Sequence, residues 1–327
     1  MPERHTPVLV VGGSLVGLST SALLAQHGVR HLVVESHVGT AIHPRAASFH
    51  QRTMEIFRSI GLQEEIEAAA AREFAQGGAI VAVESLAGRE LQYFYRSYNE
   101  GVEGLSPTSR LFITQVGLEP ILRRRGGELG AEHRFATELV SFEAHDDHVR
   151  SVIRSRGASD EVVTSDYLVA ADGAHSTVRQ RLGVPMTGRG SFADCITIYF
   201  RADVKPLLGD RKLSVVYVNH PQLLGFFRFS FAGDAGFLAV FATFGEDGTR
   251  NANVAEDASA ERCVELVRTA LGDEHAPVEV ESVQPWQASA ATADRFQQGR
   301  VLLAGDAAPR HATDRRLRRQ HRRGGRA

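Results

Sequence analysis

The chain has one tryptophan, three methionines and two cysteines in 327 residues, and only two lysines, Lys205 and Lys212. Cys195 and Cys263 are too few and too far apart to build a zinc cage or a disulfide framework, so a reducing cytoplasm is the default compartment. No run approaches the ~18 apolar residues of a membrane helix, which argues against a membrane protein. The first apolar stretch, Val8 to Val11, is too short for the core of a signal peptide. No internal repeat and no low-complexity linker precedes residue 309. Neither a Ser-His-Asp nor a Cys-His order stands out, and Ser176 reads as a cap or turn residue. With arginine supplying nearly all the basic residues, the scarcity of lysine points to a GC-rich genome.

What is present describes an ordinary globular protein. Apolar residues make up 43% and charged residues 23%, with a formal net charge of -2, and the length suits about two domains at ~150 residues each. The charge is unevenly placed. Residues 309 to 327 hold eight arginines against a single acid, Asp314, so an acidic body carries a basic tail.

Val8 to Val11 is a β-branched run of the kind found in a buried parallel strand. It leads into Gly12-Gly13-Ser14-Leu15-Val16-Gly17, after which Leu15, Leu18, Ala22 and Ala25 recur at helical spacing. Gly28 ends that helix and His31 to Glu35 reads as a second strand. This is a dinucleotide-binding βαβ unit. Gly12 supplies the tight turn, Gly17 permits close packing, and the helix N-terminus offers free N–H groups to a pyrophosphate. Glu35 is placed to accept hydrogen bonds from an adenosine ribose. Ser14 replaces the central glycine of the motif and could cap the helix. By itself the unit serves NAD and FAD equally.

Two further strands end in aspartates. Tyr167 to Ala171 runs into Asp172-Gly173-Ala174-His175-Ser176-Thr177-Val178-Arg179, and Val301 to Ala304 into Gly305-Asp306-Ala307-Ala308. Both place an acid beyond a strand's carboxyl end, where open α/β sheets bind ligands. In this order and spacing the three segments resemble the class A flavoprotein aromatic hydroxylases, with a p-hydroxybenzoate hydroxylase-like fold. His43-Pro44-Arg45, Arg52-Thr53-Met54-Glu55 and Gln115 through Leu118-Glu119-Pro120 resemble the polyketide and phenol hydroxylase branch, which includes enzymes of antibiotic biosynthesis.

The resemblance implies an α/β fold: a Rossmann-like FAD-binding domain of the GR2 type with an inserted antiparallel or mixed-sheet substrate domain. It implies bound FAD, NAD(P)H as reductant, dioxygen as cosubstrate and a bulky aromatic substrate, polyketide or phenolic. By position, Gly12, Gly13, Ser14 and Gly17 would approach the ADP phosphates and Glu35 the ribose. Arg45 and Gln115 would bind the pyrophosphate and ribityl region, and Asp306, with Gly305 before it, the ribityl hydroxyls. Asp172 and Gly173 belong to a motif tied to both FAD and nicotinamide. The plainer readings are a solvated charge for Arg45 and a helix cap for Gln115. No catalytic base can be named. Alternatives of other classes are a flavin-binding reductase or dehydrogenase without hydroxylation, and a non-catalytic remnant.

Residues 78 to 95 and 192 to 244 break the helix-strand alternation. Ile196 to Phe200, Leu213 to Val218, Leu223 to Phe231 and Phe237 to Phe244 are aromatic and β-branched runs separated by turn residues. They predict the inserted sheet that, in the family, roofs the flavin. Phe227, Phe229 and Phe231 share one strand face, either as core or as substrate lining. Ala258 to Leu271 reads as an amphipathic helix. His145 and His148, around Asp146-Asp147, fall in a hairpin turn, and no metal site is expected there. The resulting division is 1–75, 105–182 and 286–308 for the FAD-binding domain, 76–104 and 183–285 for the substrate domain, and 309–327 for a tail.

That tail departs from the family, which continues past Gly-Asp-Ala-Ala with a pattern like H-x-x-P-P-x-G-G-x-G-x-N-x-G-x-x-D-A. Read from the second base of the Pro309 codon, the codons of residues 309 to 326 can encode every specified position of that pattern in order. One extra base at or just before Pro309 would convert the family's glycine codons into these arginine codons. The expectation is a frame-shifted, impaired chain with weak FAD retention, checked by resequencing the locus. The competing reading, a basic arm for nucleic acid, lacks interleaved aromatics, and no nucleic-acid partner is expected.

Overall fold

A computed structural model describes residues 3–42 and 47–310, with the backbone alone at 309 and 310. Arg45 and residues 311–327 therefore lie outside the described residues, and with them the expectations for Arg45 and for the tail.

The opening unit is as its pattern predicts. Strand β1 (Glu3–Val11) leads into helix α1 (Leu15–Gln26) and strand β2 (His31–Val34). β1 lies between β2 and the strand Asp160–Ala170, parallel to both, and Val301–Leu303 joins Asp160–Ala170 in the same direction. Glu132–Arg134 closes the other side, parallel to β2. Where they pack together, at Val8–Val11, Leu32–Val34, Leu168–Ala170 and Val301–Leu303, the strands are apolar because both faces of a parallel sheet are covered. Leu9, Leu32 and Leu168 pack on one side, while Val8, Val10 and Val33 pack on the other. The hairpin Thr137–Ala144 and Val149–Ser155 extends the sheet, turning through His145 to His148 as expected.

The second sheet has nine strands in the order Pro309–Arg310, Glu279–Ala293, Met186–Arg201, Ala235–Phe244, Leu223–Phe229, Leu213–His220, Ala79–Val83, Glu90–Tyr95, with Arg250–Asn251 beside Ala235–Phe244. It is mixed, as predicted: Leu213–His220 pairs in parallel with Ala79–Val83 and the remaining pairs are antiparallel. The helix Ala260–Leu271 covers one face. Ser259 caps it by accepting from the Arg262 N–H, and Gly272 ends it in a left-handed conformation, the usual device for closing a helix. Cys263, Leu266, Val267, Ala270 and Leu271 recur at helical spacing and pack on Ile198, Phe200, Val216 and Leu238 of the sheet.

One element had no clear signal. Glu279–Ala293 is a fifteen-residue strand containing Pro285 and few β-branched residues. It is held by its long antiparallel pairing with Met186–Arg201, and it runs through the expected division at residue 285. No helix among the described residues is long and apolar enough to cross a membrane.

Candidate functional site

Three loops meet at the carboxyl edge of the parallel sheet. The first is Gly12 to Ser14, where Gly12 adopts a φ of 106° and its N–H donates to Val34 O. A Cβ at Gly12 would stand 2.3 Å from the carbonyl oxygen of Ala171, and one at Gly17 would stand 1.8 Å from that of Gly12. Neither separation is compatible with van der Waals contact, so only glycine lets the turn, the helix and the neighbouring strand come this close.

The second loop follows Asp160–Ala170. Ser176 caps the short helix Thr177–Arg181 by accepting from Arg179 N–H, as its sequence position suggested. Asp172 Oδ2 accepts from the Val178 N–H at 3.2 Å and from Thr177 Oγ at 3.4 Å. Its Oδ1 is buried with no partner among the described residues, and Gly173 has a φ of 80°.

The third loop, Gly305–Ala307, brings Gly305 against Val16 at the start of α1. Asp306 is exposed there. Arg179 ties the second and third loops together: its guanidinium is buried and donates to Ala307 O at 2.9 Å and to Ala174 O at 3.0 Å.

Glu35 sits at the end of β2, 9% exposed. Its Oε2 accepts from Gly13 N–H at 2.6 Å, and its Oε1 accepts from the His37 N–H and ring. Burial pushes this carboxyl up, but the hydrogen bonds from His37 and Gly13 outweigh it and hold the group below the ordinary glutamate value, so it is an anion at neutral pH.

Ser14 occupies the cap position of α1, yet its side chain makes no cap bond, a correction to the cap expected there. A stronger acceptor has taken that role. Glu119, fully buried, accepts from Leu15 N–H at 2.9 Å and from Ala41 N–H at 2.7 Å, and Ser14 Oγ donates to it. Gln115 Nε2 reaches both Glu119, at 3.1 Å, and Ser14 Oγ, at 3.3 Å. Gln115 is thus drawn to the start of α1. It is not the cap of its own helix, Gln115–Glu128, because Thr114 fills that role.

The phenylalanine cluster divides. Phe227 and Phe229 are buried against the Ala260–Leu271 helix side of the sheet. Phe231 lies beyond the strand, which ends at Phe229, and is 66% exposed. The three therefore do not form one lining, because the strand ends two residues early. The other sheet face carries an aromatic ladder. Ring centroids are 5.7 Å apart for Phe94–Tyr217, 5.9 Å for Tyr217–Phe226, 5.8 Å for Phe226–Phe241 and 6.0 Å for Phe241–Trp286. Phe226 and Tyr217 also pack with Tyr98 and Phe112, and the neighbours of Phe112 in the chain, Leu111 and Ile113, pack with Leu18 and Ala22 of α1. Trp286 donates to Thr197 Oγ at 3.0 Å, and its strand continues to Ala293, whose N–H donates to Ala308 O at 2.7 Å. The ladder and the third loop are therefore joined by one strand.

The sequence reading placed the candidate lining on the Phe227 face; adjacent strand residues point oppositely, and the half-buried aromatic rings lie on the Phe226 face instead. Glu119 carried no signal beyond its place beside Gln115. No group of three or more potential metal ligands occurs among the described residues. His145 and His148 stack on each other at 4.5 Å, and His148 bonds Asp147.

A βαβ unit with a glycine turn, an anionic Glu35 and two aspartate loops at one carboxyl edge defines an α/β protein built to seat a dinucleotide cofactor. Comparison with known proteins makes this particular: a model of the FAD binding domain family matches residues 5–314, and the chain belongs to that family. FAD is its cofactor, which resolves the choice the βαβ unit left open. The orphaned buried Asp172 Oδ1 and the glycine-lined approach to α1 suit that molecule.

Among curated proteins the chain is 48% identical over 309 residues to a 4-methyl-5-nitrocatechol 5-monooxygenase of Burkholderia sp, covering 94% of this chain and 56% of that protein. It is 39% identical over 325 residues to a tetracenomycin B2 monooxygenase-dioxygenase of Streptomyces olivaceus, covering 95% and 59%. The crystal structure of aklavinone-11 hydroxylase in a ternary complex with FAD and aklavinone superposes with a TM-score of 0.84 at 34% identity, covering 94% of this chain and 58% of that one. The resemblance to aromatic and polyketide hydroxylases and the expected fold class are borne out. The chain spans between half and two thirds of the length of each of these relatives.

Proposed function

We propose that this chain forms the FAD-binding and substrate-facing part of an NAD(P)H-dependent monooxygenase that hydroxylates a phenolic or polyketide-type aromatic compound. The observation that carries the reading is the ladder from Phe94 to Trp286, on the face turned toward Tyr98 and Phe112. Offset and edge-to-face rings give a flat aromatic ligand a surface that both attracts and orients it. The relatives named above act on nitrocatechol, tetracenomycin and aklavinone, all aromatic.

In this reading the α1 N-terminus, with Gly12, Gly13, Ser14 and Gly17, takes the diphosphate. Glu35 takes the adenosine ribose, its exposed His37 partner swinging aside. Gln115 and Arg45 attend the diphosphate and ribityl chain, Asp306 and Gly305 the ribityl hydroxyls, and Asp172 and Gly173 the crevice between. Arg179 positions the last two loops by holding them together. The bound flavin would supply the redox chemistry, with NAD(P)H as reductant and dioxygen as oxidant. The side chains bind, orient and exclude water. The divisions at residues 75, 104, 182 and 285 remain the proposed domain limits, with the last taken as a strand shared by both units, and the cytoplasm remains the proposed compartment.

The test is direct. The purified chain is supplied with FAD and desalted, and its visible spectrum is recorded. NAD(P)H oxidation is then followed with and without catechols or a polycyclic phenol, together with product analysis. Retained flavin with aromatic-dependent oxidation and an oxygenated product supports the proposal. Oxidation of substrate without oxygen consumption would indicate a dehydrogenase, and absence of flavin binding would sink the cofactor assignments.

A further inference from the structure

A cavity of about 460 Å³ opens between the loop after β2, at Thr40, the helix Gln115–Glu128, at Arg123 and Arg124, and the strand Glu132–Arg134, at His133. That volume falls within the ~300–1,000 Å³ of small-ligand pockets, and no sequence motif pointed to it. Its two arginines differ. Arg124 is committed to Glu65 and Glu128. Arg123 is half-buried and lies over the ring of Phe135, Cζ standing 3.8 Å from the centroid. Its guanidinium takes part in no hydrogen bond or ion pair among the described residues. Phe135 therefore covers one side of this cation and leaves the donors along its edge idle.

Phe135 also fixes where the pair stands relative to the crevice. A Cβ on Gly13 would meet Glu35 Cβ at 2.7 Å and Phe135 Cζ at 3.4 Å, so the ring lies beside both residues proposed for the diphosphate and the ribose. The backbone keeps it there, Glu35 N–H donating to Arg134 O and Ala136 N–H to His37 O. In FAD the adenine is joined directly to the ribose that Glu35 would receive, so the base comes to rest beside that carboxylate. The helix Gln115–Glu128 points the same way. Gln115, Glu119 and Arg123 share one face at four-residue spacing, each about 6 Å further along the axis. Gln115 attends the ribityl chain and diphosphate, Glu119 fixes the start of α1, and Arg123 comes next. The order of side chains follows the order of groups along the cofactor.

We propose that Arg123 binds the adenine ring of FAD, the base stacking on its guanidinium at the cavity, and that Phe135 positions Arg123 for this. A flat, delocalised cation stacks on aromatic faces, and its edge N–H groups can donate to ring nitrogens of the base. The inference rests on the FAD-dependent reading above and extends it to the end of the cofactor for which no residue had been assigned.

Equilibrium titration of the full chain with FAD, ADP and FMN tests this, since the first two carry adenine and the third does not. Arg123→Ala should weaken FAD and ADP by about tenfold each and leave FMN unchanged. Phe135→Leu, which keeps an apolar side chain but removes the ring, should weaken the same two and spare FMN. Arg123→Lys keeps the charge without the flat face and should lose nearly as much as Arg123→Ala; full retention of affinity by lysine would mean a phosphate contact and overturn the inference. Unchanged FAD affinity in Arg123→Ala, or equal losses for FAD and FMN, overturns it while leaving the cofactor reading intact. A loss confined to NADPH would assign the cavity to the reductant and overturn it likewise. If FMN binds too weakly for comparison, ADP decides, and an ADP affinity indifferent to Arg123→Ala counts against the inference. An unaltered chain that binds neither FAD nor ADP would remove the cofactor assignments themselves, and this one with them.

Discussion

Glu119 ties together several of the residues proposed to seat the cofactor. Its single carboxylate gathers Leu15 N–H, Ala41 N–H, Ser14 Oγ and Gln115 Nε2, so it fixes the start of α1, the loop after β2 and the start of the Gln115–Glu128 helix at once. A carboxylate at a helix N-terminus is favoured by the dipole as well as by its hydrogen bonds. Glu119→Gln preserves the shape but replaces one acceptor by a donor facing other donors. Loss of charge-assisted bonds at a buried position should cost about 2 kcal/mol in stability, read as a lower urea midpoint, and should weaken FAD binding. An unchanged midpoint would mean that the loops are held elsewhere. Gly12→Ala makes a complementary prediction. The new methyl meets Ala171 O at 2.3 Å in a backbone region that alanine avoids, so the strand or the turn must shift. A destabilisation of about 2 kcal/mol or more follows, with FAD no longer retained on desalting.

At the scale of elements, the strand Glu132–Arg134 carries two neighbouring groups that each weaken the fold on acidification, in separate pH ranges. Arg4 and Arg134 beside Glu132 hold its carboxyl down at about 2. That folded value lies below the unfolded one, so this contribution to stability is complete above pH ~4.5 and is lost as pH falls toward ~2. His133 is pulled down to about 4, first by burial and then by His31 and Arg123; its Nε2 meets Ser21 Oγ, which also bonds His31. Here the unfolded chain binds the proton first, so stability falls as pH drops from ~6.5 to ~4 and is unaffected above that range. Urea midpoints measured across pH should therefore show an early decline that His133→Gln reduces, the remainder belonging to His31, which burial also pulls down, and a later one that it leaves. A variant whose early decline matches the original would show that His133 is not its source.

These elements also show what a sequence discloses. The β1–α1–β2 unit was legible because a buried strand, a glycine turn and a helical period each leave a pattern set by local geometry. The Ala260–Leu271 helix was legible for the same reason, one face apolar and both ends capped. Glu279–Ala293 was not: its order comes from pairing with Met186–Arg201, and its own residues carry little preference. The site divides in the same way. Glu35 and the aspartate loops stand out by their spacing after strands and Gln115 by its resemblance to a family segment, whereas Glu119 owes its contacts to neighbours distant in sequence. Phe226 and Phe227 could not be told apart because alternation fixes only that they oppose, and what lies over each face is a matter of tertiary packing.

On the scale of the whole molecule, the question is whether the two sheets respond as one to the cofactor. The parallel sheet supplies the crevice, and the nine-stranded sheet meets it through Tyr98, Phe112 and the Ala293–Ala308 hydrogen bond. Trp286 is the single tryptophan and belongs to the second sheet, so its fluorescence reports unfolding away from the crevice. A ligand bound only by the folded state adds about 2.7 kcal/mol at a hundredfold excess over its Kd. If the sheets unfold together, FAD should raise the Trp286 transition and the far-ultraviolet circular dichroism transition by the same amount. If the interface is weak, the circular dichroism signal should split, and Trp286 should keep its original midpoint in the presence of FAD. The shared strand favours the first outcome, since separating Glu279–Ala293 from Ala308 would disturb the third loop on which Arg179 and Val16 both rest. A Trp286 midpoint that ignores FAD would show that the substrate-facing sheet is energetically independent of the flavin crevice.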